Sequence, residues 1–274
     1  MTTDSAILWA ALPDALSARR DLRAKIEPGN PMLAKLTEED RPERDWAGNK
    51  LPRMSILDTE PRTAIIPVNG VLLNKATALD RWLGDLGYED VLEDVAAAIQ
   101  ARCKRIVLEI DSPGGHATGA QETRAKIMDM ARAGEADLLA YTSGLMASAA
   151  YWVATASPMI LALPSAQIGS VGAIVTFVTV ENRLRDMGVT PHVIASDELK
   201  ATGHPFQAAT QRQLDSIQEA IDEIADEFKR CVMEARGDNF ELAALDARVV
   251  SGRRAAQMGL IDEVVPSLGD WLSL

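Results

Sequence analysis

The chain has 274 residues, of which 47% are hydrophobic and 25% charged, so it can bury one large hydrophobic core. Its formal net charge is −12, which argues against nucleic acid as a partner because the phosphate backbone is also negative. The cysteines and histidines lie too far apart in sequence to predict a disulfide framework or a metal site; they are Cys103, Cys231, His116, His192 and His204. We therefore expect no metal, no cofactor and a reducing compartment such as the cytoplasm.

Residues 1–60 differ from the rest, because prolines and charges are frequent there and the apolar residues show no sustained period. We predict an extension or linker over 1–60 with one short helix near residues 5–24, a folded domain over 61–266 and a short tail over 267–274. The apolar patch near the start is short and is broken by Pro13. We therefore expect neither a signal peptide nor a membrane span, and a soluble protein.

From Thr63 onward, predicted strands alternate with predicted helices. Residues 63–73 predict a strand, an Asn-Gly turn and a second short strand, and "RIVLEID" over 105–111 is typical of a strand covered on both faces. The remaining predictions, in chain order, are helices over 88–104 and 117–134, a strand over 136–142, a helix over 148–157, a strand over 158–164, a helix over 181–188, a strand over 190–196, a helix over 211–237, and a small helix and closing strand within 249–265. This alternation predicts an α/β fold with mostly parallel strands and flanking helices.

The long predicted helix over 211–237 is amphipathic. Its apolar stripe consists of Leu214, Ile217, Ile221, Ile224 and Phe228. The stripe predicts burial against the same chain or a contact with another subunit.

The stretch "LEIDSPGG" over 108–115 joins a buried strand to a helix through two glycines, Gly114 and Gly115. Glycines there let the backbone turn sharply and point N–H groups outward, and such donors suit a developing oxyanion. The alternative is an ordinary tight turn.

Ser148 lies at a predicted strand-to-helix junction, within "YTSGLMASAAYWVATA". It is either a helix N-cap or a nucleophile. Its small neighbours Ala147, Ala149 and Ala150 would leave room for a substrate backbone, and the helix N-terminus would favour negative charge on an attacking oxygen.

A serine nucleophile needs a base, and none of the histidines has an obvious triad spacing with Ser148. A lysine serves when it is kept neutral, which burial favours. Lys200 is the candidate in a predicted loop, although the nearby Asp197 and Glu198 would favour its charged form if they faced it. The alternative is an ordinary surface lysine.

Ser170 lies between two glycines in "AQIGSVGA" over 166–173. Its hydroxyl could hydrogen-bond the lysine amine and orient it. The alternative is a turn with an incidental hydroxyl.

Four stretches together, "IVLEIDSPGG", "GLMASAAYWVATAS", "ALPSAQIGSVGAI" and "ASDELKATGHPF", resemble the signal peptide peptidase A (SppA) family of serine peptidases. The similarity runs from about Ala64 to Val265, and it is strongest to the phage capsid-assembly (prohead) proteases. The resemblance implies a ClpP/crotonase-like fold and hydrolysis by a Ser–Lys dyad. It also implies proteolysis of capsid and scaffold proteins during virion maturation, in the host cytoplasm or a virion precursor.

By motif match, the resemblance assigns Ser148 as nucleophile, Lys200 as general base and Ser170 as the hydroxyl that steadies the lysine. It assigns Gly115 to the oxyanion hole and Gly114 to its turn. The single copy of the motif set implies a homo-oligomeric ring whose neighbouring subunits complete each site. No membrane and no nucleic-acid partner is implied.

Two alternative functions stay open on the sequence. A crotonase-type acyl-CoA enzyme would share the fold and a backbone oxyanion hole, but it would not need Ser148, Ser170 and Lys200. A catalytically inactive, protease-like structural subunit of a phage head would keep the fold without the chemistry.

Overall fold

The computed structural model describes residues 9–11, 53–237 and 247–273, with the backbone alone for 9–11. The strands in these residues are β1 (Trp9–Ala11), β2 (Ser55–Leu57), β3 (Thr63–Asn69), β4 (Leu72–Leu73), β5 (Leu86–Gly87), β6 (Arg105–Asp111), β7 (Gly114–His116), β8 (Asp137–Thr142), β9 (Leu145–Ala147), β10 (Met159–Ala162), β11 (Gln167–Gly169), β12 (Val249–Ser251) and β13 (Glu263–Val264). The helices are α1 (Ala78–Trp82), α2 (Tyr88–Gln100), α3 (Ala120–Ala133), α4 (Ala149–Ala154), α5 (Glu181–Asp186), α6 (Gln211–Arg236), α7 (Gly252–Gln257) and α8 (Leu268–Leu272), and a 3₁₀ helix covers Glu198–Ala201.

The main sheet has the strand order β13-β10-β8-β6-β3-β2. Its pairs are parallel except for β2 with β3. Residues of β6 alternate between its two faces: Ile106 and Leu108 belong to the large core beneath α2 and α3, whereas Val107 packs on the other side with Leu268 of α8. Both faces are thus covered, as the apolar run of β6 predicts.

Two smaller sheets in the described residues have the orders β1-β7-β4-β5 and β12-β11-β9. They join the main sheet at the carboxyl end of β6, where Ser112 forms a parallel bridge with Met146 of β9. The carboxyl ends of parallel strands are the usual place for a site in α/β folds. The architecture confirms the predicted α/β fold, with mostly parallel strands and flanking helices.

The predicted strand, turn and second short strand over 63–73 are present as β3 and β4, which belong to different sheets. At the turn, Gly70 donates its N–H to the Asp111 carbonyl oxygen at 3.1 Å. Two local predictions are wrong. Within the range 5–24, where a short helix was predicted, residues 9–11 form the strand β1, and the rest of that range lies outside the described residues. The predicted strand over 190–196 is absent, and these residues form no regular element.

The ends of the described chain also contribute to the folded body. β2 lies within the predicted 1–60 extension and pairs with β3, and α8 lies within the predicted 267–274 tail and packs on the main sheet. Residues 1–8 and 12–52 of the predicted extension lie outside the described residues. The domain boundaries themselves stay a prediction.

Candidate active site

Ser148 occupies the single residue between β9 and α4, and it is 1% exposed. Its backbone has φ 54° and ψ −126°, a region that favours glycine and costs a serine about 1–3 kcal/mol. Its side chain makes no capping hydrogen bond to α4, so it is not the N-cap considered from sequence. A strained serine at a strand-to-helix turn is a geometry that presents a nucleophilic hydroxyl.

Backbone hydrogen bonds fix Ser148 beside Ser170. The Ser148 N–H donates to the Gly169 carbonyl at 2.8 Å, and the Ser148 carbonyl accepts from the Trp152 N–H at 2.9 Å. β9 and β11 run parallel with Ala147 opposite Gly169, so Ser148 and Ser170 follow at the same end of neighbouring strands. Ser170 also has a positive φ of 55°. The structure therefore brings these two predicted site residues together.

The helix that follows Ser148 is held firmly in the core. The Trp152 ring stacks on Phe228 of α6 with centroids 4.6 Å apart, and the Tyr151 hydroxyl donates to the Leu260 carbonyl at 2.6 Å. Ala149 and Ala150 are fully buried, as is Ala147. Their small size therefore serves the packing of this junction, rather than the open room for substrate that the sequence indicated.

Gly114 and Gly115 begin β7, and the turn before them is fixed by Ser112. The Ser112 hydroxyl donates to the Gly70 carbonyl at 2.6 Å and accepts from the Gly114 N–H at 3.1 Å. The Gly114 amide is thus committed to the turn.

Gly115 lies very close to β4. A Cβ at this position would fall 1.8 Å from the Leu72 carbonyl oxygen, so a larger residue cannot fit without moving a strand. α4 packs against β7, which places this glycine strand beside the element that begins at Ser148.

Lys200 lies on an element of its own, outside the strands and the helix that carry this group. It belongs to the 3₁₀ helix Glu198–Ala201, which packs against α6, and its side chain is exposed. None of the hydrogen bonds and ion pairs between described residues joins Lys200 to Ser148 or Ser170.

The two acidic neighbours of Lys200 have other partners. The Asp197 carboxylate accepts a hydrogen bond from the Leu199 N–H at 2.9 Å. The Glu198 carboxylate accepts one from the Thr210 hydroxyl and lies 3.4 Å from the Arg212 guanidinium. Both carboxylates therefore support the loop and the start of α6.

Sequence reasoning missed Asp111 and Ser112 as residues that shape the site. The Asp111 carboxylate accepts from the Leu145 N–H at 3.0 Å, so it ties β9 to the end of β6. The available signal was that Asp111 and Ser112 are polar residues at the end of a buried parallel strand, a position that lies at the carboxyl edge of the sheet.

A cavity of about 430 Å³ lies at the opposite end of the main sheet, lined by residues that include Arg105, Asp137 and Met159. These residues begin β6, β8 and β10, so the cavity lies at the amino ends of strands whose carboxyl ends lead to Ser148. It is therefore not part of the candidate active site.

Across 53–237 and 247–273, no three metal-binding side chains cluster together. Cys103 and Cys231 are buried, and burial raises the pKa of both thiols. No helix in these ranges is both long enough and apolar enough to cross a bilayer.

Comparisons with known proteins identify related chains. The capsid assembly protease C of Escherichia phage lambda is 27% identical over 209 residues, covering 74% of this chain and 46% of the relative. Protease 4 of Salmonella typhi is 29% identical over 216 residues, covering 78% and 34%. A ClpP1 mutant from Listeria monocytogenes superposes with a TM-score of 0.46 at 17% identity, covering 76% of this chain and 94% of that one.

This chain thus spans less than half the length of those two curated relatives. The model described as peptidase family S49 matches residues 131–267, half of the chain, a range that contains Ser148, Ser170 and Lys200. The match confirms the resemblance to SppA-type peptidases, and the chain belongs to peptidase family S49.

Proposed function

We propose that this chain is a serine endopeptidase in which Ser148 is the nucleophile and Lys200 the general base. The observation that carries the proposal is the conformation of Ser148, which is strained, buried and free of any capping role next to the Gly114–Gly115 turn. Strain of this kind persists where the surrounding structure enforces it, and it concentrates at active sites. Membership of a peptidase family supports the same chemistry.

In the proposed reaction, the uncharged Lys200 amine accepts the proton of the Ser148 hydroxyl, and the serine oxygen attacks the peptide carbonyl carbon. The Gly115 N–H stabilises the oxyanion, and Ser170 orients the lysine. The lysine then gives its proton to the departing amine, which leaves an acyl ester on Ser148. Water hydrolyses that ester with the lysine again as base, so the serine is regenerated.

The exposed position of Lys200 leads us to propose that the dyad forms between two copies of this chain. Several large apolar residues near Lys200 in sequence are exposed as well, namely Ile174, Val178, Met187, Val189, Ile194 and Phe206. On α6, Leu214 is 41% exposed whereas Phe228 is fully buried, so the apolar stripe is covered by its own chain only toward its carboxyl end. A second copy that covers this surface would bring its lysine to a neighbouring serine, as in the predicted ring.

The substrates we propose are soluble proteins, with phage capsid and scaffold proteins as the first candidates. One relative is named as a capsid assembly protease, and this name supports the choice. A second candidate function is that of an inactive structural subunit, which is favoured by the lack of any hydrogen bond between Lys200 and Ser148 or Ser170 among the described residues.

A fluorophosphonate probe tests the proposal, since it labels only an activated serine. We expect labelling of the assembled protein, loss of labelling in Ser148→Ala, and a fall of several orders of magnitude in peptide hydrolysis for Ser148→Ala and Lys200→Ala. Ser165→Ala and Lys126→Ala alter exposed residues of the same types and serve as controls. Full hydrolysis by Ser148→Ala would disprove the mechanism, and a wild type that is neither labelled nor active would favour the structural subunit. Co-expression with candidate capsid proteins then identifies the substrate.

A further inference from the structure

The backbone of β1 lies on the outer edge of the glycine strand β7. The two strands are antiparallel, with Trp9 opposite His116, Ala10 opposite Gly115 and Ala11 opposite Gly114. The other edge of β7 is taken by β4, where Leu72 is opposite Gly115. Residues 9–11 therefore fill the edge of β7 that the rest of the sheet leaves available.

This edge lies beside the element that carries Ser148. β7 begins two residues after Ser112, which bridges to Met146 of β9, and β9 ends one residue before Ser148. α4, which begins directly after Ser148, packs against β7. A chain laid along the outer edge of β7 thus runs next to the two glycines, on a strand that packs against the helix after Ser148.

An extended peptide binds such an edge through main-chain hydrogen bonds, so the pairing of β1 has the form of strand addition by a peptide ligand. The pairing is remote in sequence, because about a hundred residues separate β1 from β7. No turn joins the two strands, so the three-residue segment behaves as a tethered ligand.

We propose that the outer edge of β7 is the docking edge for an extended peptide, and that residues 9–11 are its tethered occupant, which competes with other peptides. The inference rests on the proposed function only in taking the competing peptide to be the substrate. Because the segment belongs to the same chain, its docking is intramolecular, and a free peptide must displace it.

The test uses the Ser148→Ala variant, in which no cleavage can remove the segment. The probe is a fluorescein-labelled peptide with the sequence of residues 5–16, SAILWAALPDAL. Its affinity is measured by fluorescence anisotropy on the full chain, on a chain that lacks residues 1–20, and on an Ala10→Pro/Ala11→Pro chain. Neighbouring N–H groups on a strand point in opposite directions, so one of the two prolines must remove a donor that faces β7. Ala15→Pro/Leu16→Pro is the control.

We expect the truncated chain and the Ala10→Pro/Ala11→Pro chain to bind the probe at least about tenfold more tightly than the full chain and the control. Hydrogen exchange of the 114–116 amides should be faster in these two chains when no probe is present. Equal affinities together with unchanged exchange at 114–116 would overturn the proposal. A wild type that cleaves nothing, with both effects present, would instead count against the peptidase and leave the docking edge in place.

Discussion

Ser112 is a positioning residue, since its buried hydroxyl joins the Gly70 carbonyl to the Gly114 N–H ahead of the glycine strand. Ser112→Ala leaves two buried polar groups without this partner, at a cost of about 1–3 kcal/mol in the free energy of unfolding. We expect kcat for peptide hydrolysis to fall about tenfold or more, with KM changed much less, because the turn before the oxyanion donor loosens. Steady-state kinetics and urea unfolding measure the two effects.

The exposed Ser165 supplies the matched control, and Ser165→Ala should leave both quantities unchanged. A Ser112→Ala variant that loses stability but keeps its full kcat would show that the residue supports the fold alone.

At the residue scale, the sequence predicted the neighbourhood of Ser148, Ser170 and the two glycines, because each follows a strand that ends at one edge. It could not predict the strain at Ser148, since a cap and a nucleophile occupy the same place before a helix. Nor could it place Lys200, because its loop is held by tertiary contacts, such as that of Glu198 with Thr210 at the start of α6, which the sequence does not reveal.

The short helix α4 depends on the long helix α6 for its position. Phe228 is fully buried and stacks on Trp152, so Phe228→Ala removes a large side chain from the support of the serine turn. We expect the free energy of unfolding to fall by about 3–5 kcal/mol. Urea unfolding measures this, with Phe206→Ala as the control, because Phe206 is 45% exposed and its ring contributes less buried area. Equal losses for the two variants would contradict this account of the packing.

At the element scale, long periodic patterns were predicted well: α6 and β6 begin and end close to the expected residues. The failures are short segments whose partner lies elsewhere in the molecule. A short helix was predicted near residues 5–24, yet residues 9–11 pair with β7 as the strand β1. Residues 190–196 have an apolar pattern like a strand, but no strand in the described part of the chain pairs with them.

At the scale of the whole molecule, the proposed dyad requires Lys200 of one subunit to lie next to Ser148 of another. If Lys200 serves a neighbouring subunit, Ser148→Ala and Lys200→Ala chains complement each other: in a randomly mixed ring, half of the serines and half of the lysines are intact, so about a quarter of the sites regain both groups. Co-expression of the two variants should therefore restore about a quarter of the wild-type activity, whereas each variant alone stays inactive.

Val178→Asp/Ile194→Asp places charges on two exposed apolar positions and should yield a monomer near 29.6 kDa in sedimentation, without activity. A fully active monomer, or a co-expressed pair as inactive as its parts, would show that the dyad forms within one chain or not at all.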